Sequence, residues 1–254
     1  MPEYLVSPLL DEAGFRHAFF TRRGGVSAGA YASLNFSVAV GDVDENVRRN
    51  LGLAARALAV DPDRLCFASQ VHGREAVVLR GDATRERVLE EHADAVLSRA
   101  PEIACAVRTA DCVPVLIGDT RSGAAAAIHA GWRGAVAGVV EAGVSELRKL
   151  IGGEGELVAA IGPHISREAF EVAEDVARDI ARAAGDPAVV ERRPGARPRA
   201  DLRRTIRLQM NRLGLGDASI EDVGGCTVGE PELYFSYRRD GKRSGRHLAA
   251  IVPR

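Results

Sequence analysis

Lysine is almost absent from this sequence. Of its 34 basic residues only Lys149 and Lys242 are lysine, and all the others are arginine. So wide a skew, in a chain also rich in alanine and glycine, reads as compositional bias, so no single arginine counts as functional on its own. An excess of either charge is absent as well. With a net charge of −1 at pH 7, the chain has no overall field to hold nucleic acid or an acidic membrane surface, and neither is expected as a partner. Long hydrophobic runs are missing: none approaches the roughly 18 apolar residues that span a bilayer. The N-terminal stretch MPEYLVSPLLDEAGF lacks the basic start and apolar core of a secretory signal, and a cytoplasmic location is the expectation. Cysteine is scarce. There are four, Cys66, Cys105, Cys112 and Cys226, and none sits in a C-x-x-C pair. They are expected as free thiols that serve as small core residues, metal ligands or nucleophiles.

What is present is 254 residues, 46% of them apolar and 27% charged, which is ample for a substantial core. No internal repeat or low-complexity linker occurs. The most loop-like segment, RRPGARPRAD (192–201), is too short to demand a boundary, so one domain over 1–254 is expected. GFRHAFFTRRGG reads as a strand ending in a glycine turn. DVDENVRRNLGLAARALAV reads as a helix capped by Asp42 or Asp44, with Val47, Leu51, Ala54, Ala55 and Leu58 on one face. CFASQVHGREAVVLR predicts two strands joined at a tight HG turn. DAVLSR, IACAVRTADC, VPVLIGD, GAAAAIHA and LVAAIGP predict short apolar strands of a sheet buried on both faces. RGAVAGVVEAGVSELRKLIG, SREAFEVAEDVARDIARAAG and DLRRTIRLQMNRLGLG predict helices, and ELYFSYRRDGKRSGRHLAAIVP a closing hairpin. Strands clustered in runs argue an α+β class rather than strict βαβ alternation.

Three of these segments end a strand on a soft or borderline metal ligand. His72 stands in SQVHG, Cys112 in TADCVP and His129 in AAIHAGW. Each has a Gly or Pro within the next two residues, and strand-end loops are where a rigid scaffold presents functional groups. Two imidazoles and a thiolate suit one zinc ion, and three protein ligands leave a fourth position for water or substrate. The spacing matches no local metal-ligand signature, so two loop histidines and a buried cysteine remain an alternative. Arg133 stands at the start of a predicted helix, where a guanidinium and the helix dipole both favour an anion. Arg22 and Arg23 lie on a glycine loop. Asp111 precedes Cys112 and is a candidate to orient a ligand or move a proton, with Arg108 as its partner. Arg238 or Arg246, in the polar segment SYRRDGKRSGR, is a further candidate anion contact, with a solvated turn as the alternative. His164, in IGPHIS near another strand end, is a candidate site residue with a loop histidine as the alternative, and His17, His92 and His247 have no partner that the sequence identifies.

FTRRGGVS, SQVHG, TADCVP, HAGWRG and YFSYRRDGKRSGR, in this order, resemble the laccase-domain family, from about residue 15 to the C-terminus. Its members are called polyphenol oxidases, peptidoglycan-editing factors and purine nucleoside phosphorylases. The resemblance implies a layered α/β sandwich with mixed sheets, similar to the cytotoxic-factor cysteine hydrolase fold. It also implies a zinc ion on His72, Cys112 and His129 as the catalytic centre, with purine nucleosides and phosphate as partners. Phosphorolysis of adenosine, inosine, guanosine and methylthioadenosine, and deamination of adenosine, are the implied activities. Arg22, Arg133 and Arg238 are the expected anion-binding residues, Asp111 the supporting carboxylate, and a monomer or small homo-oligomer the expected state. Two departures bear on substrate preference: Ala39 stands where the family often has histidine, and Ile206 where it often has asparagine.

Three rival readings remain. Cys112 as nucleophile, with His129 or His72 as base, would make a cysteine hydrolase acting on amides or peptidoglycan precursors. A multicopper phenol oxidase is disfavoured, because six histidines without an H-x-H pair are too few for a blue-copper centre and a trinuclear cluster. A metal-stabilised binding protein without catalysis would unfold when its metal is removed.

Overall fold

The computed structural model describes all residues, 1–254. In chain order the strands are β1 (Tyr4–Leu5), β2 (Arg16–Phe20), β3 (Leu65–Cys66), β4 (Ala76–Leu79), β5 (Ala95–Ser98), β6 (Ala104–Thr109), β7 (Val113–Asp119), β8 (Ala125–Ala130), β9 (Leu157–Ile161), β10 (Val190–Glu191), β11 (Arg199–Ala200), β12 (Ile220–Asp222) and β13 (His247–Val252). The helices are α1 (Pro8–Glu12), α2 (Asp44–Ala57), α3 (Arg85–Val88), α4 (Trp132–Ala137), α5 (Val139–Ile151), α6 (Glu174–Ala184), α7 (Leu202–Arg212) and α8 (Tyr237–Asp240). One sheet of five strands runs β1-β2-β13-β6-β3 and one of six runs β12-β9-β7-β8-β5-β4, beside a two-stranded β10-β11 ribbon. Both large sheets are mixed: β3–β6, β4–β5 and β9–β12 are parallel, the other pairs antiparallel.

Side-chain alternation shows how the layers stack. Successive strand residues face opposite sides of a sheet. In β6, Cys105 and Val107 share a core with Leu116, Ala125, Ala127 and Ala160 of the six-stranded sheet. Ala104 and Ala106 face the other way and pack with Val47, Leu51, Ala54 and Ala55 of α2. In β7, Val113, Val115 and Ile117 turn to a third core with Val140, Val144, Ile180 and Ile206 of α5, α6 and α7. The order is therefore helix, sheet, sheet, helices: the α+β class that the strand runs predict, in the layered sandwich with mixed sheets that the family resemblance implies. Every residue of β7 and β8 is buried, which explains their nearly unbroken apolar sequences.

Several local expectations are corrected. α2 has the expected buried face, but its N-cap is Val43, with no side-chain cap. The two strands flanking HG do not form a hairpin: β3 lies in the five-stranded sheet and β4 in the six-stranded one, so the HG loop crosses between layers. The helix after His129 is two helices, divided at Gly138, whose φ of 86° is left-handed. Residues 166–173 are not helical beyond one short turn, and α6 begins at Glu174. The closing hairpin is absent: α8 and a short 3₁₀ turn precede the single strand β13. Its polar residues form loops and short turns, and Tyr234 and Phe235 are buried without pairing as a strand.

Candidate active site

His72, Cys112 and His129, far apart in sequence, come together at one end of the interface between the two sheets. Their ligand atoms all lie within 4.8 Å of one another. His129 is on β8 with the parity of Ala125 and Ala127, so it faces the five-stranded sheet. Across the ladder it pairs with Pro114, and Cys112 stands just before β7. His72 arrives from the crossing loop, its ring edge-on to that of His129 at 4.9 Å between centroids. The backbone is held away from its usual minima here: His72 has φ 61° and Asp111 φ 88°. Left-handed non-glycine residues cost free energy and persist only where surrounding structure enforces them.

At His72 the group that enforces it is Asp94, fully buried just before β5. Its carboxylate accepts the Nδ1–H of His129 at 2.8 Å. It also accepts the main-chain N–H groups of Val71, His72 and Gly73 at 3.2, 3.0 and 2.7 Å. Burial alone would raise the Asp94 pKa, but the hydrogen bond and charge of His129 and the loop N–H groups outweigh it and hold the carboxyl below its usual range. With Nδ1 committed to Asp94, His129 presents Nε2 to the cluster, the arrangement in which a buried carboxylate fixes a ligand's tautomer. Burial also works against ionising Cys112, yet the charge and hydrogen bonds of His129 and His72 bring its pKa down to about 6. His129 is raised to about 9, its burial outweighed by Cys112 and Asp94. In the metal-free cluster Cys112 and His129 thus each favour the charged form of the other.

The donor set fits a zinc ion: borderline nitrogen and soft sulfur ligands, three in number, with one thiol already acidic. The glycines of HAGWRG serve this cluster. A Cβ on Gly131 would stand 2.9 Å from the Cys112 Sγ and 3.0 Å from the His72 ring. One on Gly134 would stand 3.0 Å from the Gly73 carbonyl, so α4 packs directly on the loop that carries His72.

Beside the cluster opens a cavity of about 600 Å³. Trp132, Phe170 and Tyr237 line it with aromatic surface, and Arg108, Arg133, Arg238 and Arg246 with charge. Arg133 is exposed, its guanidinium 4.7 Å from the Trp132 ring. Because α4 has only six residues, the anion-binding potential at Arg133 rests on its side chain rather than on a helix dipole. Arg238 is exposed as well, bonded to the carbonyls of Ala169 and Glu171.

Arg22 is outside this constellation. Its guanidinium donates to the carbonyls of Ala32 and Pro231 and lies 4.5 Å from the Phe235 ring, so it ties loops together and does not face the cavity. Asp111 lines the cavity but bonds none of the three cluster residues. It accepts from the Thr227 hydroxyl and the Arg238 main-chain N–H, both at 2.6 Å, and it forms no pair with Arg108. The carboxylate that supports the cluster is Asp94, which the sequence reading missed. In HADAVLSR it looks like any residue preceding a strand, and only the tertiary fold reveals its partners. His17 and His247 hold backbone N–H groups, His164 a carbonyl, and His92 is exposed.

A family model described as multi-copper polyphenol oxidoreductase laccase matches residues 16–254. The chain belongs to this laccase-domain family. It is 41% identical over 242 residues to a purine nucleoside phosphorylase of Streptomyces coelicolor, covering 94% of this chain and 95% of that one. It is 37% identical over 253 residues to a purine nucleoside phosphorylase of Bacteroides thetaiotaomicron, covering 96% and 93%. Among solved structures, Neisseria meningitidis protein NMB0706 superposes with a TM-score of 0.84 at 34% identity, over 99% of this chain and 98% of that one. YlmD from Geobacillus stearothermophilus superposes with a TM-score of 0.88 at 28% identity, over 98% and 94%. No helix of this laccase-domain chain is long and apolar enough to cross a membrane.

Proposed function

We propose that this chain is a zinc-dependent purine nucleoside phosphorylase that also deaminates adenosine. The observation that carries the reading is the convergence of His72, Cys112 and His129 on the wall of a cavity lined by both aromatic rings and guanidinium groups. A purine nucleoside needs the first for its base, and phosphate needs the second. Zinc, when bound, supplies a Lewis acid at that wall. The chain's own residues do the rest. Trp132, Phe170 and Tyr237 enclose the base, Arg133 and Arg238 attract the anion, and Asp94 keeps His129 in one tautomer. Adenosine, inosine, guanosine and methylthioadenosine are the proposed substrates. The family description names copper, but a single three-donor cluster suits one zinc ion and is far short of a multicopper assembly. The test incubates purified protein with adenosine and phosphate and resolves the products by chromatography. Adenine, inosine and hypoxanthine are expected, and their absence relative to a Cys112→Ser control rejects the reading.

One observation favours a second reading. Cys112, His129 and Asp94 form a connected thiol–imidazole–carboxylate series, the layout of a cysteine nucleophile, its base and the group that orients the base. In that reading the enzyme is a hydrolase of amide bonds such as those of peptidoglycan precursors. Activity that survives complete removal of metal and is abolished by alkylation of Cys112 selects it over the first.

A further inference from the structure

The four arginines of the cavity are not equivalent. Arg133 and Arg238 are exposed, whereas Arg108 and Arg246 are half-buried. Arg246 is fixed by hydrogen bonds from Nη1 to the carbonyls of Ser244 and Gly245. Arg108 lies 4.4 Å from the Phe67 ring centroid, and none of its guanidinium N–H groups has an acceptor in the protein. A desolvated guanidinium without acceptors is costly, and its fork of donors matches a phosphate or carboxylate.

The two half-buried guanidinia feel each other. Burial first, and Arg246 second, push Arg108 down to about 10, which leaves it charged at neutral pH. Neither guanidinium forms an ion pair with a carboxylate: Asp111 is within electrostatic reach of Arg246, but its oxygens are engaged by Thr227 and the Arg238 N–H. On its other side Arg246 is within electrostatic reach of Cys112, so the pair borders the ligand cluster. Ser37 is buried, lines the same cavity and has no protein partner for its hydroxyl.

We propose that Arg108 and Arg246 hold a phosphate group between them, forming an inner anion subsite of the cavity. The subsite stands whether or not the cavity performs phosphorolysis, and only the identity of the phosphate's carrier rests on that reading. The carrier is inorganic phosphate as co-substrate or a phosphate esterified to the nucleoside.

Calorimetric titration of the metal-loaded protein separates these. Inorganic phosphate, adenosine and adenosine 5′-monophosphate are each titrated into wild type, Arg108→Met and Arg133→Gln. Methionine keeps an apolar stem on Phe67 and removes the fork. Loss of Arg108 is expected to weaken phosphate binding by about tenfold or more, and loss of the exposed Arg133 by no more than about threefold. Adenosine 5′-monophosphate binding tighter than adenosine, with the gap closed by Arg108→Met, places the phosphate on the nucleoside. Equal affinities of the two, with inorganic phosphate sensitive to Arg108→Met, place it on the co-substrate. Neither anion responding to Arg108→Met overturns the proposal. Should that variant fail to fold, a crystal of the wild type soaked in inorganic phosphate decides: density between Arg108 and Arg246 supports the subsite, and density confined to Arg133 and Arg238 rejects it. Phosphate binding that depends on Arg108 without any phosphorolysis faults the functional reading and leaves the subsite. Phosphorolysis with a phosphate KM indifferent to Arg108→Met does the reverse.

Discussion

Asp94 and His129 are joined by a buried hydrogen bond of 2.8 Å between Oδ1 and Nδ1, and the same carboxylate gathers the N–H groups of the loop carrying His72. One side chain thus sets the tautomer of His129 and the backbone of His72. Asp94→Asn keeps the size but puts an amide N–H donor where an acceptor is required, facing either His129 or the loop. Metal affinity is expected to fall by about 10- to 100-fold, as read by competition with a chromophoric chelator. A purely structural role would lower the melting temperature and leave metal affinity alone.

Gly131 gives a sharper steric test. Its φ of −70° and ψ of 165° suit alanine, so Gly131→Ala strains no backbone. Its new Cβ would meet Cys112 Sγ at 2.9 Å and His72 at 3.0 Å, forcing two ligands apart. Metal content and turnover should fall together while the melting temperature of the metal-free protein stays close to wild type. Gly153→Ala, at a position with open space, is the matched control. Full metal occupancy in Gly131→Ala would show that the cluster tolerates displacement and weaken the case for a rigid site.

The four thiols should separate cleanly in reactivity. Burial raises Cys66 to about 11 and Cys105 well above the ordinary range, and both are buried. Cys112 is brought down to about 6. Cys226 is also lowered, its partial burial outweighed by Ser166 and by N–H groups of the 228–229 turn, so the measurement belongs in a Cys226→Ser background. The thiolate is the nucleophile, so alkylation of metal-free protein by iodoacetamide should rise through about pH 6 and then level off. Zinc should suppress it. A profile that keeps rising to pH 9 would mean that the pairing with His129 is not formed.

The cluster was legible because His72, Cys112 and His129 each stand where an apolar run gives way to Gly or Pro, although only His129 lies within a strand, His72 being on the crossing loop and Cys112 just before β7. The α+β class and the doubly covered strands were legible because β7 and β8 are buried on both faces and read as apolar runs; the layering was implied only by the family resemblance. Asp94 and Arg108 were not, because what distinguishes them is a partner gained or lacking across the fold. Asp111 was misjudged for the same reason: adjacency to Cys112 in sequence does not aim its carboxylate at the cluster, and its left-handed backbone leads it to Thr227 and Arg238. Arg22 follows the same logic, since its glycine loop turns the guanidinium towards carbonyls. The break at Gly138 was hidden because α4 and α5 share an uninterrupted apolar pattern.

Stability should decline on the acid side through histidines remote from the cluster. Burial lowers both His164 and His247 from 6.5 to about 4. His247 Nε2 accepts the Phe235 N–H at 2.7 Å, a bond that protonation of that nitrogen would remove, and His164 donates its Nδ1–H to the Gly162 carbonyl. Both are therefore neutral when folded. Between pH 6.5 and about 4 the unfolded chain binds protons that the folded chain does not, so stability rises with pH across that window. Their contribution is intact above pH 6.5, shrinks as the pH falls towards 4, and changes no further below it. Each site is worth at most about 3.4 kcal/mol over the full window. Chemical denaturation across pH 4–8, in a Cys112→Ser background to remove metal effects, should show the decline. His164→Asn, which can still donate to the Gly162 carbonyl, should reduce its slope by up to about 1.4 kcal/mol per pH unit. An unchanged slope in that variant would mean that His164 takes up its proton as readily folded as unfolded.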